Sequence, residues 1–274
     1  MIQDIHHPRS VAEAVALRQG TPASCYYAGG TEINSRTWPW HATGEPTAAI
    51  MLDRLPLRRL EPTPAGFAIG AGITIQELVD GPGVPPLLAA AAREFANRNV
   101  RTMATLGGNA GSNGAWSSLA PALLCLDAQV SLCDAAGERT VAYASYVAQH
   151  DPRALITGFL VPAGWERRRG AARKHGRTAT DVAIVSAAVS LAGDAARLER
   201  PLVAVNGAVP RATRLRALED RLAGQPLPPR GEIDALVKAA VDPVTDLRGS
   251  AAFKRQLAAA LVSDALRDAL GHNR

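Results

Sequence analysis

The chain has 274 residues, 47% hydrophobic and 20% charged, enough to bury a sizeable core and unlike a disordered tail or a fibre. Its net charge of +5 and pI near 9.5 admit nucleic acid, but the basic residues are dispersed and often neighbour acidic ones. The one short cluster, Glu166-Arg-Arg-Arg169, suits a solvated turn or a subunit contact better than a nucleic-acid site.

Three cysteines, Cys25, Cys125 and Cys133, lack C-x-x-C spacing and are too few for a four-thiolate zinc or iron–sulfur site, so free buried thiols are expected. The opening Met1-Ile-Gln-Asp-Ile-His-His7 has neither a basic nor an apolar leader character, and no apolar run approaches the ~20 residues that span a bilayer. A cytoplasmic protein is the expectation, and with about 100–200 residues per domain, one of two domains.

In chain order, residues 1–25 read as a short strand and a helix. Ser10 is the N-cap, Glu13 completes a capping box, and Ala12, Val15 and Ala16 form the buried side. An apolar and aromatic strand then runs into Gly29-Gly30, giving an opening βαβ-like unit. The segment 36–46 is a Pro- and Gly-punctuated loop, in which Trp38 and Trp40 are either exposed contacts or a local aromatic clasp. Ala49 to Leu52 is a strand, Gly66 to Thr74 another, and Thr74-Ile-Gln-Glu77 a capping box. Leu87 to Asn97 predicts a strong helix with Phe95 near its end, and Pro121 opens another. Ala128 to Cys133 and Arg139 to Ala142 predict a hairpin about Asp134-Ala-Ala-Gly137, and Leu155 to Val161 a further strand. Composition shifts at 166–170. Beyond it come strands near Arg173, Ala183–Leu191 and Pro201–Asn206, then helices near Thr213–Leu222 and Gly231–Ala240. A long helix from Ser250 carries Phe253, Leu257, Leu261 and Leu266 on one face. Three strands followed by helices predict an α+β second domain.

Two glycine segments stand out. Thr105-Leu-Gly-Gly-Asn-Ala-Gly-Ser-Asn-Gly114 holds four glycines and two asparagines, too many for a regular helix or strand, and Gly107, Gly108, Gly111 and Gly114 allow positive φ. A glycine loop feeding a helix start gathers free amides, as diphosphate sites do. Tyr26-Tyr-Ala-Gly-Gly-Thr-Glu-Ile33 reads as a buried strand ending in a tight turn whose amides can face an anion. Neither has the spacing of a Rossmann fingerprint or a P-loop. Two unrelated glycine loops suggest a dinucleotide held from two sides. The six histidines are scattered, and no triad or metal cluster competes.

The ordered pair Ala28-Gly-Gly-Thr-Glu32 and Ala104-Thr-Leu-Gly-Gly-Asn109 resembles the FAD-binding medium subunit of the molybdenum hydroxylases, the xanthine dehydrogenase and carbon monoxide dehydrogenase family. Met51–Leu60, Ala68–Ile75, Asn97–Thr102, Asp181–Ala187 and Asp246–Arg255 support it in order, so the likeness covers nearly the whole chain. It implies an α+β protein: a two-part, PCMH-type FAD-binding domain over 1–165, with parts at about 1–55 and 56–165. A C-terminal domain over 170–274 would follow, a three-stranded sheet plus helices of the CO dehydrogenase flavoprotein type.

By the same resemblance, Ala28, Gly29, Gly30, Thr31, Glu32 and Ile33 wrap the FAD diphosphate and ribityl region, though Glu32 is as well read as a turn-capping carboxylate. Thr105, Gly107, Gly108 and Asn109 form the second FAD loop, continued by Ser112 and Asn113. Ser118 stands where relatives usually carry an Asp that contacts the adenosine end, and Ala115 where a proline is common; a neutral hydroxyl is the weaker partner there. Phe95 is either beside the isoalloxazine ring or core. Arg173 or Lys174 is a flavin-contacting cation or part of a surface salt bridge. The implied function is electron transfer from [2Fe–2S] clusters through FAD to an external acceptor. The implied partners are a small [2Fe–2S] subunit and a large molybdopterin subunit, as a heterotrimer or its dimer. A stand-alone flavoprotein, or a non-catalytic assembly subunit with a decayed FAD site, are the alternatives.

Overall fold

The computed structural model describes residues 2–35 and 46–271; Trp38 and Trp40 lie outside them. The chain opens with β1 (Asp4–His6), α1 (Val11–Gly20), β2 (Ser24–Tyr27) and β3 (Ala48–Met51), and the three strands form a parallel sheet in the order β1-β3-β2. Ser10 caps α1 through Glu13 N, but the Glu13 carboxylate accepts from Arg9 N, so the predicted capping box is half formed. Ala14 and Val15 are the residues α1 buries, against Ile50, Leu55 and Leu57; Ala12 and Ala16 face solvent because the small sheet takes only a narrow stripe.

The middle of the chain forms β4 (Leu60–Thr63), β5 (Gly66–Gly70), α2 (Ile75–Asp80), α3 (Pro86–Arg93), α4 (Arg98–Arg101), α5 (Leu106–Ser112), α6 (Ala120–Cys125), β6 (Gln129–Asp134), β7 (Gly137–Ala142), α7 (Tyr143–Ala148) and β8 (Leu155–Pro162). The five strands are antiparallel, in the order β4-β5-β8-β6-β7. The capping box at Thr74 and Glu77 is complete. Helix α3 ends before Asn97, because Ala96 takes φ 41° and Asn97 caps α4 instead, so Phe95 lies in the connecting turn. The short α7, which buries Tyr143, Tyr146 and Val147, has no counterpart in the sequence prediction.

The remainder is β9 (Arg169–His175), β10 (Val185–Gly193), β11 (Leu198–Asn206), β12 (Thr213–Arg214), α8 (Arg216–Leu222), α9 (Arg230–Ala240) and α10 (Ala251–Ala269). Its antiparallel sheet has four strands, β12-β11-β10-β9, one more than expected, since Thr213–Arg214 pairs with Ala204–Val205 before α8 begins. Strand β10 alternates between two buried faces, one wholly apolar and one that sets Ser186 and Ser190 beside Ala188. Val185, Ala187, Val189 and Leu191 pack under α8–α10, while Ala188 joins the core shared with α3 and α6. Cys125 of α6 donates its thiol to Ala188 O at 3.2 Å across that junction. None of the three cysteines is in a disulfide; Cys125 and Cys133 are buried and Cys25 is half-buried. No described helix is long and apolar enough to cross a membrane.

On α10, Phe253 is exposed and Lys254 takes the buried place, donating to Asp246 Oδ1 at 2.7 Å and to Val244 O at 2.9 Å. The Lys254 hydrogen bond holds the Asp246 carboxyl at about 2, below the ordinary carboxylate value. A lowered folded-state value stabilises the fold above the unfolded-state value, and that stability is lost as pH falls toward 2. Asp246→Ala should therefore destabilise the protein by about 2 kcal/mol or more at pH 7, through an unpaired buried ammonium. In urea unfolding, the gap between variant and wild type should close between pH 4 and pH 2; a gap independent of pH would show that the pair contributes nothing.

Candidate functional site

Strand β2 delivers the chain to Ala28 and Gly29, and the Gly29 backbone meets the backbone that precedes α5. A Cβ built on Gly29 would stand 1.8 Å from Met103 O and 3.2 Å from Ala104 N. Gly30 then adopts φ 66°, over the Tyr27 ring, whose hydroxyl accepts from Asn34 Nδ2 at 2.7 Å. The turn closes with Asn34 N donating to Gly30 O at 2.9 Å and Ser35 Oγ to Glu32 O at 2.8 Å. The two predicted segments, 28–33 and 104–109, are thus in direct contact.

The second segment is a helix where its composition predicts an irregular loop. Thr105 caps it, its Oγ1 accepting from Gly108 N at 3.0 Å, and Leu106 and Ala110 anchor it in the core. None of Gly107, Gly108, Gly111 and Gly114 has positive φ; the left-handed residue is Asn113, at φ 44°. Gly107 serves close packing, since a Cβ there would approach Ala71 Cβ to 2.7 Å. The segment is strapped to its neighbour by Ile75 N to Ala104 O, Leu106 N to Ile73 O and Gly107 N to Ala71 O, at 2.8–2.9 Å.

The amides are therefore divided unevenly. Those of Leu106, Gly107, Gly108 and Asn109 are all bonded within the protein, so the second segment does not gather free donors. Among the described residues, those of Gly29, Gly30 and Thr31 make no hydrogen bond, and the positive φ of Gly30 bends them into a concave run of the kind that binds anions. Across the contact, Asn109 Oδ1 is buried with no partner. Three amides free among the described residues, on a turn that touches the segment bearing a buried unpartnered acceptor, fit a ligand with both an anionic group and a hydroxyl or N–H donor.

The other predicted residues divide. Ser112 and Asn113 turn into the protein. Ser112 Oγ donates to Asn109 O and contacts Ser117 Oγ at 2.8 Å, while Asn113 donates to Val147 O. Ser118 and Lys174 come together with Glu94 in a small pocket between α3, α6 and β9–β10. Lys174 Nζ donates to Ala179 O and Asp181 O, both at 2.9 Å, and burial lowers its pKa. Arg173, one residue earlier on β9, pairs with Asp268 of α10. It also lines that pocket. Phe95 is half-buried against the core, its carbonyl accepting from Arg101.

Several supports escaped the sequence. Ser117, buried, donates to Asn109 O at 2.7 Å and accepts from Gly114 N. Asn206, fully buried at the end of β11, donates to Gly114 O and Ser117 O. His150 Nε2 lies 2.9 Å from Gly111 O. Only Asn206 had a sequence signal, the Asn-Gly pair that marks a turn after a strand.

Fold and site together define an α+β protein in which the end of a small parallel sheet meets the start of a helix of an antiparallel layer, with a second α+β layer behind. Residues 1–164 match the family described as the FAD binding domain in molybdopterin dehydrogenase, and residues 171–269 the CO dehydrogenase flavoprotein C-terminal domain; the chain belongs to this family. It is 31% identical over 271 residues to YgfM of Escherichia coli K12, a protein described as uncharacterized, covering 98% of this chain and 96% of the relative. The nicotine 6-hydroxylase medium subunit of Paenarthrobacter nicotinovorans is 28% identical, covering 93% of each chain. The solved carbon monoxide dehydrogenase of Hydrogenophaga pseudoflava superposes with a TM-score of 0.92 at 26% identity, covering 99% of this chain and 98% of the other.

The Gly29 contact is open to test. No flexible side chain gives way at Met103 O, so Gly29→Ala should lower both the thermal midpoint and the FAD bound per chain. Gly111→Ala, whose Cβ would meet only Ile156 Cδ1 at 3.7 Å, should keep FAD and gain up to about 1 kcal/mol of helix stability. If both variants behaved alike in flavin content and melting, the contact would not be what shapes the site.

Proposed function

We propose that this chain is the FAD-binding, electron-transfer subunit of a multi-subunit molybdenum hydroxylase. The observation that carries the reading is the close contact of Gly29 with Met103 and Ala104, which joins a turn whose Gly29, Gly30 and Thr31 amides are unbonded among the described residues to the segment that bears the buried, unpartnered Asn109 Oδ1. Gly29, Gly30 and Thr31 hold the diphosphate through those amides, with Ala28, Glu32 and Ile33 completing the turn around it. Thr105, Gly107 and Gly108 form a wall with little side chain over it, and Asn109 accepts from a donor of the cofactor. Ser112 and Asn113 act one step back, fixing the end of α5. Ser118 and Lys174 line the far pocket with Phe95 at its approach, and Arg173 braces the sheet that carries Lys174.

When bound, FAD takes up electrons and passes them to an acceptor; the protein orients the ring and keeps water from it. No side chain of this chain acts as a general acid or base. The relatives' description as medium subunits fits two further chains in the complex, a small one with [2Fe–2S] clusters and a large one with molybdopterin. A heterotrimer or its dimer, in the cytoplasm, is the assembly this reading calls for. The FAD-binding part spans 1–165, in two portions meeting near residue 55, and the C-terminal part spans 170–274.

Two measurements test the reading. Gently purified protein should show flavin absorbance with one FAD per chain; a colourless protein that refuses added FAD would leave only a scaffolding role. Asn109→Ala removes an acceptor that has no partner within the chain, so the flavin-free protein should melt no lower than wild type. Its FAD affinity should fall about tenfold or more, as for a lost buried hydrogen bond of 1–3 kcal/mol. An unchanged FAD affinity would take Asn109 out of the site.

A further inference from the structure

Helix α5 is too short and too rich in glycine to hold its own shape. It has seven residues, three of them glycines, whereas isolated helices shorter than about 12–15 residues are marginal and each interior glycine weakens them further. Its start is held by Thr105 and the 71–75 segment; its end is held from outside the helix. The last carbonyls of a helix have no partner within it, and here two of them find side chains. Asn109 O accepts from Ser117 Oγ at 2.7 Å, and Gly111 O from His150 Nε2 at 2.9 Å. A carbonyl only accepts, so that nitrogen carries the His150 proton. Ser112 Oγ also reaches Asn109 O at 3.1 Å, but Ser112 lies on the helix itself, so it is Ser117 that ties this carbonyl to another part of the chain.

Ser117 is in turn held by the C-terminal part of the chain. Asn206 closes β11, within the stretch 171–269 that matches the C-terminal family domain, and is fully buried. Its Oδ1 accepts from Gly207 N at 2.9 Å, which turns its amide nitrogen toward the 114–117 turn. Both hydrogens of that nitrogen are used, on Gly114 O at 3.0 Å and Ser117 O at 3.2 Å. Gly207 has φ 84° and a Cβ there would stand 2.2 Å from Ile184 O, so only glycine supplies that N–H in this geometry. The 114–117 turn is itself closed, with Ser117 N donating to Gly114 O and Gly114 N to Ser117 Oγ. Asn206 is thereby linked to Asn109 through side chains that water does not reach, where hydrogen bonds are strongest. At the far end of the linkage stands Asn109 Oδ1, buried and without a partner.

We propose that Asn206, acting through Ser117, is a positioning residue for the FAD site. It sets the place of Asn109, so the C-terminal domain, which supplies none of the Gly29–Thr31 turn, tunes cofactor affinity. This rests on the FAD-binding reading given above. The test is a double-mutant cycle on the full-length chain, read as the FAD dissociation constant and the visible circular dichroism of the bound flavin. Ser117→Ala and Asn206→Ala should each weaken FAD binding about fivefold or more. Ser117→Cys, which nearly keeps the volume but replaces a hydroxyl with a poor donor, should behave as Ser117→Ala does, and the flavin spectrum of both should resemble that of Asn109→Ala. In an Asn109→Ala background the same substitutions should change FAD affinity by less than about twofold, while lowering the melting temperature of the flavin-free protein as they do in the parent. Affinity losses that multiply in that background, or a Ser117→Cys protein that binds FAD like wild type, would reduce these bonds to packing and overturn the proposal. So would an unchanged FAD affinity in Ser117→Ala, the variant that carries the test if Asn206→Ala does not fold. A wild type that takes up no FAD would remove the FAD-binding reading and this proposal together, whereas FAD binding that every one of these variants leaves unchanged would remove the proposal alone.

Discussion

The constraint on which the site depends is a contact between two stretches of backbone. Gly29 lies against Met103 and Ala104 so closely that no side chain fits between them. That approach joins the end of a parallel strand to the start of α5, two elements that belong to different sheets. It works because each partner is fixed independently. The Tyr27 ring and Asn34 brace the turn on one side, and the hydrogen bonds from 71–75 brace the helix start on the other. With two of its amides committed to those straps and the next two to Thr105, α5 is a rigid wall, and the amides unbonded among the described residues fall to the Gly29–Thr31 turn.

The C-terminal sheet contributes to this arrangement from behind. Because β10 is buried on both faces, it closes the core under α8–α10 while giving Ala188 to the core under α3 and α6. The same sheet ends in Asn206, whose amide clamps Gly114 O and Ser117 O, and Ser117 in turn holds Asn109 O. A chain of hydrogen bonds thus runs from β11 to the residue that bears the orphan acceptor. Packing across the 166–170 boundary is therefore part of how the cradle is shaped, even though the composition shift there marks a change of layer.

Much of this was legible in the sequence because it is local. The threonine cap and Glu77 at α2, the Asp134–Gly137 hairpin and the β10 and β11 apolar runs follow from residue type and spacing alone, and the two glycine segments stood out by composition. What composition misjudged was the reason for the glycines. At 107 the absence of a Cβ permits close packing in a helix, not a left-handed turn, and only the position of Ala71 decides between these. Phe95 was misplaced for a related reason, since the positive φ of Ala96, a residue that rarely adopts one, ends α3 early. Arg173 and Lys174 are adjacent in sequence, so a strand sends them to opposite faces, one to Asp268 and one to the 179–181 loop. Asn206 and Ser117 act through partners about ninety residues apart in the chain, which no local pattern reports.

Orphaned buried atoms are not in themselves evidence of a ligand. Tyr143 Oη and Ser186 Oγ are also buried without partners, one among core aromatics and the other in β10. Asn109 Oδ1 differs in its company, since its segment begins at the forced contact with Gly29, and the Gly29, Gly30 and Thr31 amides are unbonded among the described residues. An acceptor buried without a donor costs the folded chain about 1–3 kcal/mol. Replacing the side chain would remove that cost, so stability alone does not account for an asparagine here, whereas the proposed FAD site would supply the missing donor. A run of free donors and a separate acceptor is the pattern that the anionic diphosphate and the polyol of the proposed cofactor require.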